Sequence, residues 1–128
     1  MLHTTTNGGL HEYVGERILA RYVRKGMRVA DLGAGPGAMA ARLNSLGCDV
    51  VAVDRDSKAF EASVPHLCLD FNEPDFASRL GPGEFGLVTA IEVIQHVESS
   101  IGCLRNVGRL LALSGVAVLK TPNIEAIS

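Results

Sequence analysis

Apolar positions along the chain change period several times, and each change marks an element. Between residues 10 and 24 they fall at 10, 14, 18, 19, 22 and 23, a helical spacing, with Gly26 as the C-terminal stop. Residues 27–32 are a short apolar run that reads as a strand, and 38–46 return to helical spacing and end at Gly47. "DVVAVD" at 49–54 is the near-continuous β-branched run of a buried parallel strand. Residues 56–62 allow a short helix at most. A third strand is expected at 66–70, a helical turn at 73–80 and a fourth strand at 85–91. A helix at 99–113, capped by Ser99 or Ser100, leads to a fifth strand at 116–120, which stops before Pro122.

Strands alternating with helices imply a parallel sheet with right-handed crossovers. The expected fold class is α/β, a doubly wound, mostly parallel sheet of about five strands with helices on both faces. A chain of 128 residues builds one core, so residues 10–128 are expected as a single domain behind a mobile polar lead-in at 1–9. Ligands of such sheets bind at the carboxyl ends of the strands, where the glycine-rich turn after the first strand sits.

Composition narrows the partners. The net charge is −2 and there is no basic stripe with interleaved aromatics, which argues against nucleic acid. No apolar run approaches the roughly 20 residues of a membrane span. The first ten residues lack the basic start and apolar stretch of a secretory signal. Cys48, Cys68 and Cys103 are odd in number and far apart, without a C-x-x-C. They point to small buried thiols in the cytoplasm rather than to metal ligands or disulfides. The mean hydropathy of +0.21 is high for a free-standing domain of this size.

Candidate chemistry concentrates in "RVADLGAGPGAMAARL", residues 28–43. Gly33, Gly35 and Gly37 let the backbone turn tightly and admit a ligand close to it, and a helix start follows. No Gly-Lys-Ser/Thr follows, so the turn is not a P-loop. "GAGPGA" does fit G-x-G-x-x-G/A, and Asp54 stands 21 residues after Gly33, so the turn alone leaves a nicotinamide dinucleotide open. Two details weigh against one. Pro36 has no N–H to offer a pyrophosphate, and Asp31 would set a carboxylate beside it. Both details suit a ligand that carries an ammonium and a sulfonium.

Taken in order, "VADLGAGPG", "VVAVDRD", "LCLDF", "FGLVTAIEVIQHVES" and "LRNVGRLLALSGVAVLKTPN" resemble the successive motifs of the class I S-adenosylmethionine-dependent methyltransferases. The likeness runs over roughly residues 10–123, and "IEVIQH" resembles the "EVIEH" of members that act on quinones, sugars and other small molecules. The resemblance implies a Rossmann-like fold, S-adenosyl-L-methionine as cofactor and a small-molecule acceptor. It sets the Gly33-Ala34-Gly35 backbone, with Gly37 closing the turn, under the methionine part of the donor. Asp31 would favour the donor's ammonium, and Asp54 would accept from both ribose hydroxyls. Arg55 would flank the adenine, whose amino group would meet Asp70 and whose ring would meet the backbone N–H of Phe71. Ile91, Glu92 and His96 would face the reaction centre, Ile91 and Glu92 against the donor. His96 is the one candidate general base, because imidazole exchanges protons near neutrality. His11 and Tyr13 would sit on a helix that covers the donor. Each assignment has a plain structural counterpart: a helix cap for Asp31, a solvated strand end for Asp54, turn chemistry for Asp70, an ordinary structural histidine for His96 and a solvated helix face for His11 and Tyr13.

The implied reaction is in-line displacement at the methyl carbon, in which alignment can contribute roughly 7–11 kcal/mol. Two departures from the family pattern stand out. Gly86 occupies a position where the family usually carries Asp, an effect expected on packing more than on binding. The two last strands of the usual seven-stranded sheet are expected to be missing, leaving the fifth strand as an apolar edge through which the chain could dimerise. Three origins fit: a piece of a longer enzyme, a short dimerising chain, or a degenerate donor-binding protein. The competing functions are a small-molecule methyltransferase, a non-catalytic donor-binding or assembly module, and an NAD-dependent oxidoreductase.

Overall fold

The β-branched and aliphatic runs form strands whose alternate side chains enter two cores, one on each face of a single sheet. In the computed structural model, residues 16–17, 20–56, 58, 60–91 and 93–120 are described, with the backbone of 125–127. The strands are β1 (Arg28–Leu32), β2 (Asp49–Asp54), β3 (His66–Cys68), β4 (Phe85–Ile91), β5 (Leu111–Lys120) and β6 (Glu125–Ile127). Their order is β3-β2-β1-β4-β5-β6; the first five run parallel and β6 pairs antiparallel with β5. β1 is therefore central, and the chain leaves it toward β2 on one side and returns to β4 on the other. That reversal opens a crevice beyond the carboxyl ends of β1 and β4.

Helix α1 (Ala38–Ser45) covers one face, packing Ala40 and Leu43 on Val29, Val50, Ala52, Leu87 and Val118. Helix α2 (Ser100–Leu110) covers the other, packing Cys103, Val107 and Leu110 against Ala30, Leu32, Val53, Val88, Ala90 and Leu119. Ser99 caps α2, its hydroxyl accepting from the Gly102 N–H at 3.0 Å. Buried Asn106 donates to the carbonyls of Pro74 and Gly102 and accepts from the Ala77 N–H. It thereby fixes the turn after β3, including the 3-10 segment Phe76–Arg79, to the helix.

Several expectations change. The five parallel strands are present, but the outer edge of β5 is not bare, because β6 pairs with Val118, Leu119 and Lys120. No helix forms among the described residues of 56–62; Phe60 and Ala62 instead pack over Gly37. The third strand ends at Cys68, and α2 ends at Leu110 because residues 111–113 already belong to β5. Cys48 and Cys103 are buried as expected, whereas Cys68 is exposed. Gly86 packs against the Met27 side chain, away from the crevice. Residues 16, 17 and 20–22 are helical, but most of the expected N-terminal helix, His11, Tyr13 and the lead-in lie outside the described residues. No helix among the described residues is long and apolar enough to cross a membrane.

Candidate functional site

The glycine turn leaves β1 with Gly33 at φ +74°, a conformation that disfavours any side chain, and a Cβ there would stand 2.6 Å from Val93 Cγ2. Glycine is thus required by the backbone and by the neighbouring β4 loop together. Gly33 is also where two cavities meet. The first, of about 240 Å³, is lined by Asp31, Gly33, Ala34, Gly35, Pro36, Ala38, Met39, Ile91 and Lys120. The second, of about 380 Å³, is lined by Gly33, Asp54, Arg55, Asp70, Phe71, Asn72, Val93, His96 and Val97.

The turn's own N–H groups are already engaged. Gly33 and Ala34 donate to the Val53 carbonyl, Gly37 donates to Ala34, and Pro36 has no hydrogen to give. Gly35 donates to Asp54 Oδ2 at 2.7 Å, and the Arg55 N–H donates to Asp54 Oδ1 at 2.7 Å. A phosphate cradle needs free backbone donors, and this turn presents none between 33 and 37. The two carboxylate oxygens of Asp54 each retain a lone pair for hydroxyl donors on a ligand.

Asp31 gives the first cavity its character. It is buried, and one oxygen accepts from the Thr89 hydroxyl at 2.8 Å. The other oxygen, Oδ2, is buried without a hydrogen-bond partner. Burial pushes the carboxyl up to about 6; the Thr89 hydrogen bond works against this, and the charge of Asp54 adds to it. An unpartnered buried carboxylate oxygen beside a cavity is a receptor for a cation.

The sequence expectations sort cleanly between the cavities. Asp31, Gly33, Ala34, Gly35 and Ile91 line the first, and Asp54, Arg55, Asp70, Phe71 and His96 line the second with Gly33. Gly37 lines neither; it stands at the N-cap of α1, where Phe60 and Ala62 close over it. Asp70 also makes the expected turn contact, accepting from the Asn72 N–H at 2.9 Å. His96, on the 3-10 turn Ile94–His96, falls in the cavity of Asp54 and Asp70 rather than beside Asp31. Glu92, like His11 and Tyr13, lies outside the described residues. Sequence reasoning missed Thr89 and Lys120. Each had a signal, a hydroxyl within "FGLVTAI" and a charge ending "VAVLK", both polar groups in strands otherwise built for the core.

These features define a doubly wound domain with a crevice at the switch point of its sheet, lined by a buried carboxylate oxygen without a partner and by a glycine turn whose own N–H groups are engaged. A family model described as "Methyltransferase domain" matches residues 10–127. The chain belongs to that family, whose methyl donor is S-adenosylmethionine. It is 31% identical to a ubiquinone biosynthesis O-methyltransferase of Caulobacter sp. (strain K31), covering 87% of this chain and 50% of that protein. It is 32% identical to the protein of the same description from Roseobacter denitrificans, covering 77% and 42%. The fold matches an S-adenosylmethionine-dependent methyltransferase structure from Mesorhizobium loti with a TM-score of 0.69 at 21% identity, over 84% of this chain and 51% of that one. The chain spans about half the length of the curated relatives it matches.

Proposed function

We propose that this chain holds S-adenosylmethionine across the two cavities and directs its methyl group to a hydroxyl oxygen of a small molecule. The observation that carries the reading is the pairing of a turn whose backbone donors are all engaged with a buried, unpartnered oxygen on Asp31. That pairing favours a cationic amino-acid head and disfavours a pyrophosphate. It therefore sets the adenosyl donor above a nicotinamide dinucleotide.

In this reading Asp31 Oδ2 accepts from the donor's ammonium. Asp54 accepts from the ribose hydroxyls while its Gly35 contact holds the turn in place. Asp70 and Phe71 meet the adenine, with the Arg55 stem against its ring. Gly33 stands at the joint of the cavities and Ile91 walls the first, where its apolar contact excludes water. The bound donor supplies a methyl on a sulfonium, an excellent leaving group, so the chain's own contribution is alignment. His96 is the proposed base for an acceptor that must lose its proton. An acceptor oxygen is supported by the O-methyltransferase relatives, and a cytoplasmic setting by three free thiols.

Parallel calorimetric titrations with S-adenosylmethionine, S-adenosylhomocysteine and NAD test the reading. Micromolar binding of both adenosyl ligands and none of NAD is expected. NAD binding, or a folded chain that takes neither adenosyl ligand, would overturn it. Binding without methyl transfer to a hydroxyl acceptor would leave a donor-binding module.

A further inference from the structure

The first cavity contains a second buried charge for which the reading above gives no role. Lys120 ends β5, is 5% exposed, and lines the same 240 Å³ space as Asp31, which is 4% exposed. The sheet register explains how two residues so far apart in the chain come to share it. Asp31 is aligned with Thr89 on β4, Thr89 with Val118 on β5, and Ile91 with Lys120. Aligned residues of parallel strands project to the same face, and so do residues two apart on one strand. Asp31, Thr89, Ile91, Val118 and Lys120 therefore all project to the α1 face. Asp31 and Lys120 are two strand spacings apart, about 10 Å across the sheet, and Lys120 stands two residues further toward the carboxyl ends of the strands, within reach of its long side chain.

Opposite charges at that separation, buried around one small cavity, match a ligand that is itself dipolar on one carbon. An α-amino acid presents an ammonium and a carboxylate in this way. The alternative anion for Lys120 is an oxyanion of the acceptor. Its location favours the donor's head, because Lys120 faces the Asp31 cavity and not the one that holds His96. The loop's engaged N–H groups add to this, since residues 33–37 leave the carboxylate no backbone donor and a cationic side chain can supply the contact.

We propose that Lys120 binds the α-carboxylate of the donor, so that Asp31 and Lys120 grip the two charges of its amino-acid head. The assignment rests on the S-adenosylmethionine reading and deepens it. It makes the site selective for the intact amino acid over adenosyl ligands that lack the carboxylate.

The test uses three ligands, S-adenosylhomocysteine, its decarboxylated analogue and 5′-methylthioadenosine, titrated into the wild-type chain, Lys120→Met and Lys120→Arg. The wild type is expected to prefer S-adenosylhomocysteine to the decarboxylated analogue by about 10- to 100-fold, the range of a charge-assisted hydrogen bond. Lys120→Met is expected to abolish that preference while leaving affinity for 5′-methylthioadenosine unchanged, and Lys120→Arg to restore part of it. Equal wild-type affinity for the first two ligands would overturn the assignment, as would an equal loss on all three in a folded Lys120→Met. Lys120→Gln gives the same reading if the Met variant does not fold. Binding of 5′-methylthioadenosine by the wild type separates the two levels. Its absence, together with that of S-adenosylhomocysteine, overturns the donor reading, whereas its presence with an unaltered preference in Lys120→Met overturns only the role of Lys120.

Discussion

Thr89 and Asp31 lie side by side on adjacent strands, and the Thr89 hydroxyl donates to one carboxylate oxygen at 2.8 Å while the other oxygen has no partner. This single bond partly offsets the burial that raises the Asp31 carboxyl to about 6. Thr89→Val keeps the shape and removes the bond. The carboxyl then rises further, and binding of S-adenosylhomocysteine, which uses the ionised form, should reach its half-maximal strength at a higher pH than in the wild type. Calorimetry from pH 5 to 8 checks this. An unshifted midpoint would detach Asp31 from donor binding.

The same carboxyl sets a stability slope. With an ordinary value of 3.8 and a folded value of about 6, the folded ligand-free chain keeps a proton that the unfolded chain has released. Stability therefore falls as pH rises through that window, by about 3 kcal/mol from this group. Urea unfolding should show a smaller fall in Asp31→Asn than in the wild type. Parallel slopes in the two proteins would place the source elsewhere.

Two glycines in one turn should respond differently. Gly33→Ala forces a Cβ to 2.6 Å from Val93 at positive φ and should destabilise the fold by about 1–3 kcal/mol. Gly35 is also at positive φ, but its added Cβ meets no protein atom within 4 Å. Gly35→Ala should stay closer to wild type in stability, losing about 1–2 kcal/mol, and still lose donor affinity through the cavity it lines. Thermal melts paired with calorimetry separate the two effects; equal binding by Gly35→Ala and wild type would remove Gly35 from the donor floor.

Asp54 holds Gly35 and is proposed to hold the ribose. Asp54→Ala should weaken S-adenosylhomocysteine by about 1–3 kcal/mol and also loosen the turn. Asp54→Asn keeps an acceptor oxygen for the Gly35 N–H, so it should recover stability more than affinity. A variant that recovers both to the same extent would reduce Asp54 to a turn-holding role.

His96 is the proposed base for a hydroxyl acceptor. With catechol as the probe, His96→Asn should lower the transfer rate by about 10²-fold or more while the donor's Kd stays near wild type. An unchanged rate would leave His96 as part of the cavity wall.

Strands β1 to β4 were largely legible because each is a short, mostly apolar run, whereas β6 was not anticipated and β5 began earlier than expected. Boundaries failed where a segment suits two periods. Leu111 and Leu113 continue a helical spacing and equally alternate along a strand, and the pairing of Leu111 with Phe85 decided for β5. Among the described residues of 56–62 no helix forms, and Phe60 packs over Gly37. Of the candidate site, the acids at strand ends could be read from motif position. Thr89 and Lys120 could not, because their significance depends on register between strands distant in sequence.

The order of the sheet also governs when such a site can exist. Asp31 finds its hydroxyl partner 58 residues further along, and the cavity between them closes only with Lys120 on the strand beyond. A growing chain that has formed β1, β2 and β3 already owns the glycine turn and Asp54, yet it lacks the wall that would retain an amino-acid head. Ligand capture would thus be a late event in folding, coupled to the docking of β4 and β5. A labelled donor added during refolding should report the completion of the sheet rather than its nucleation.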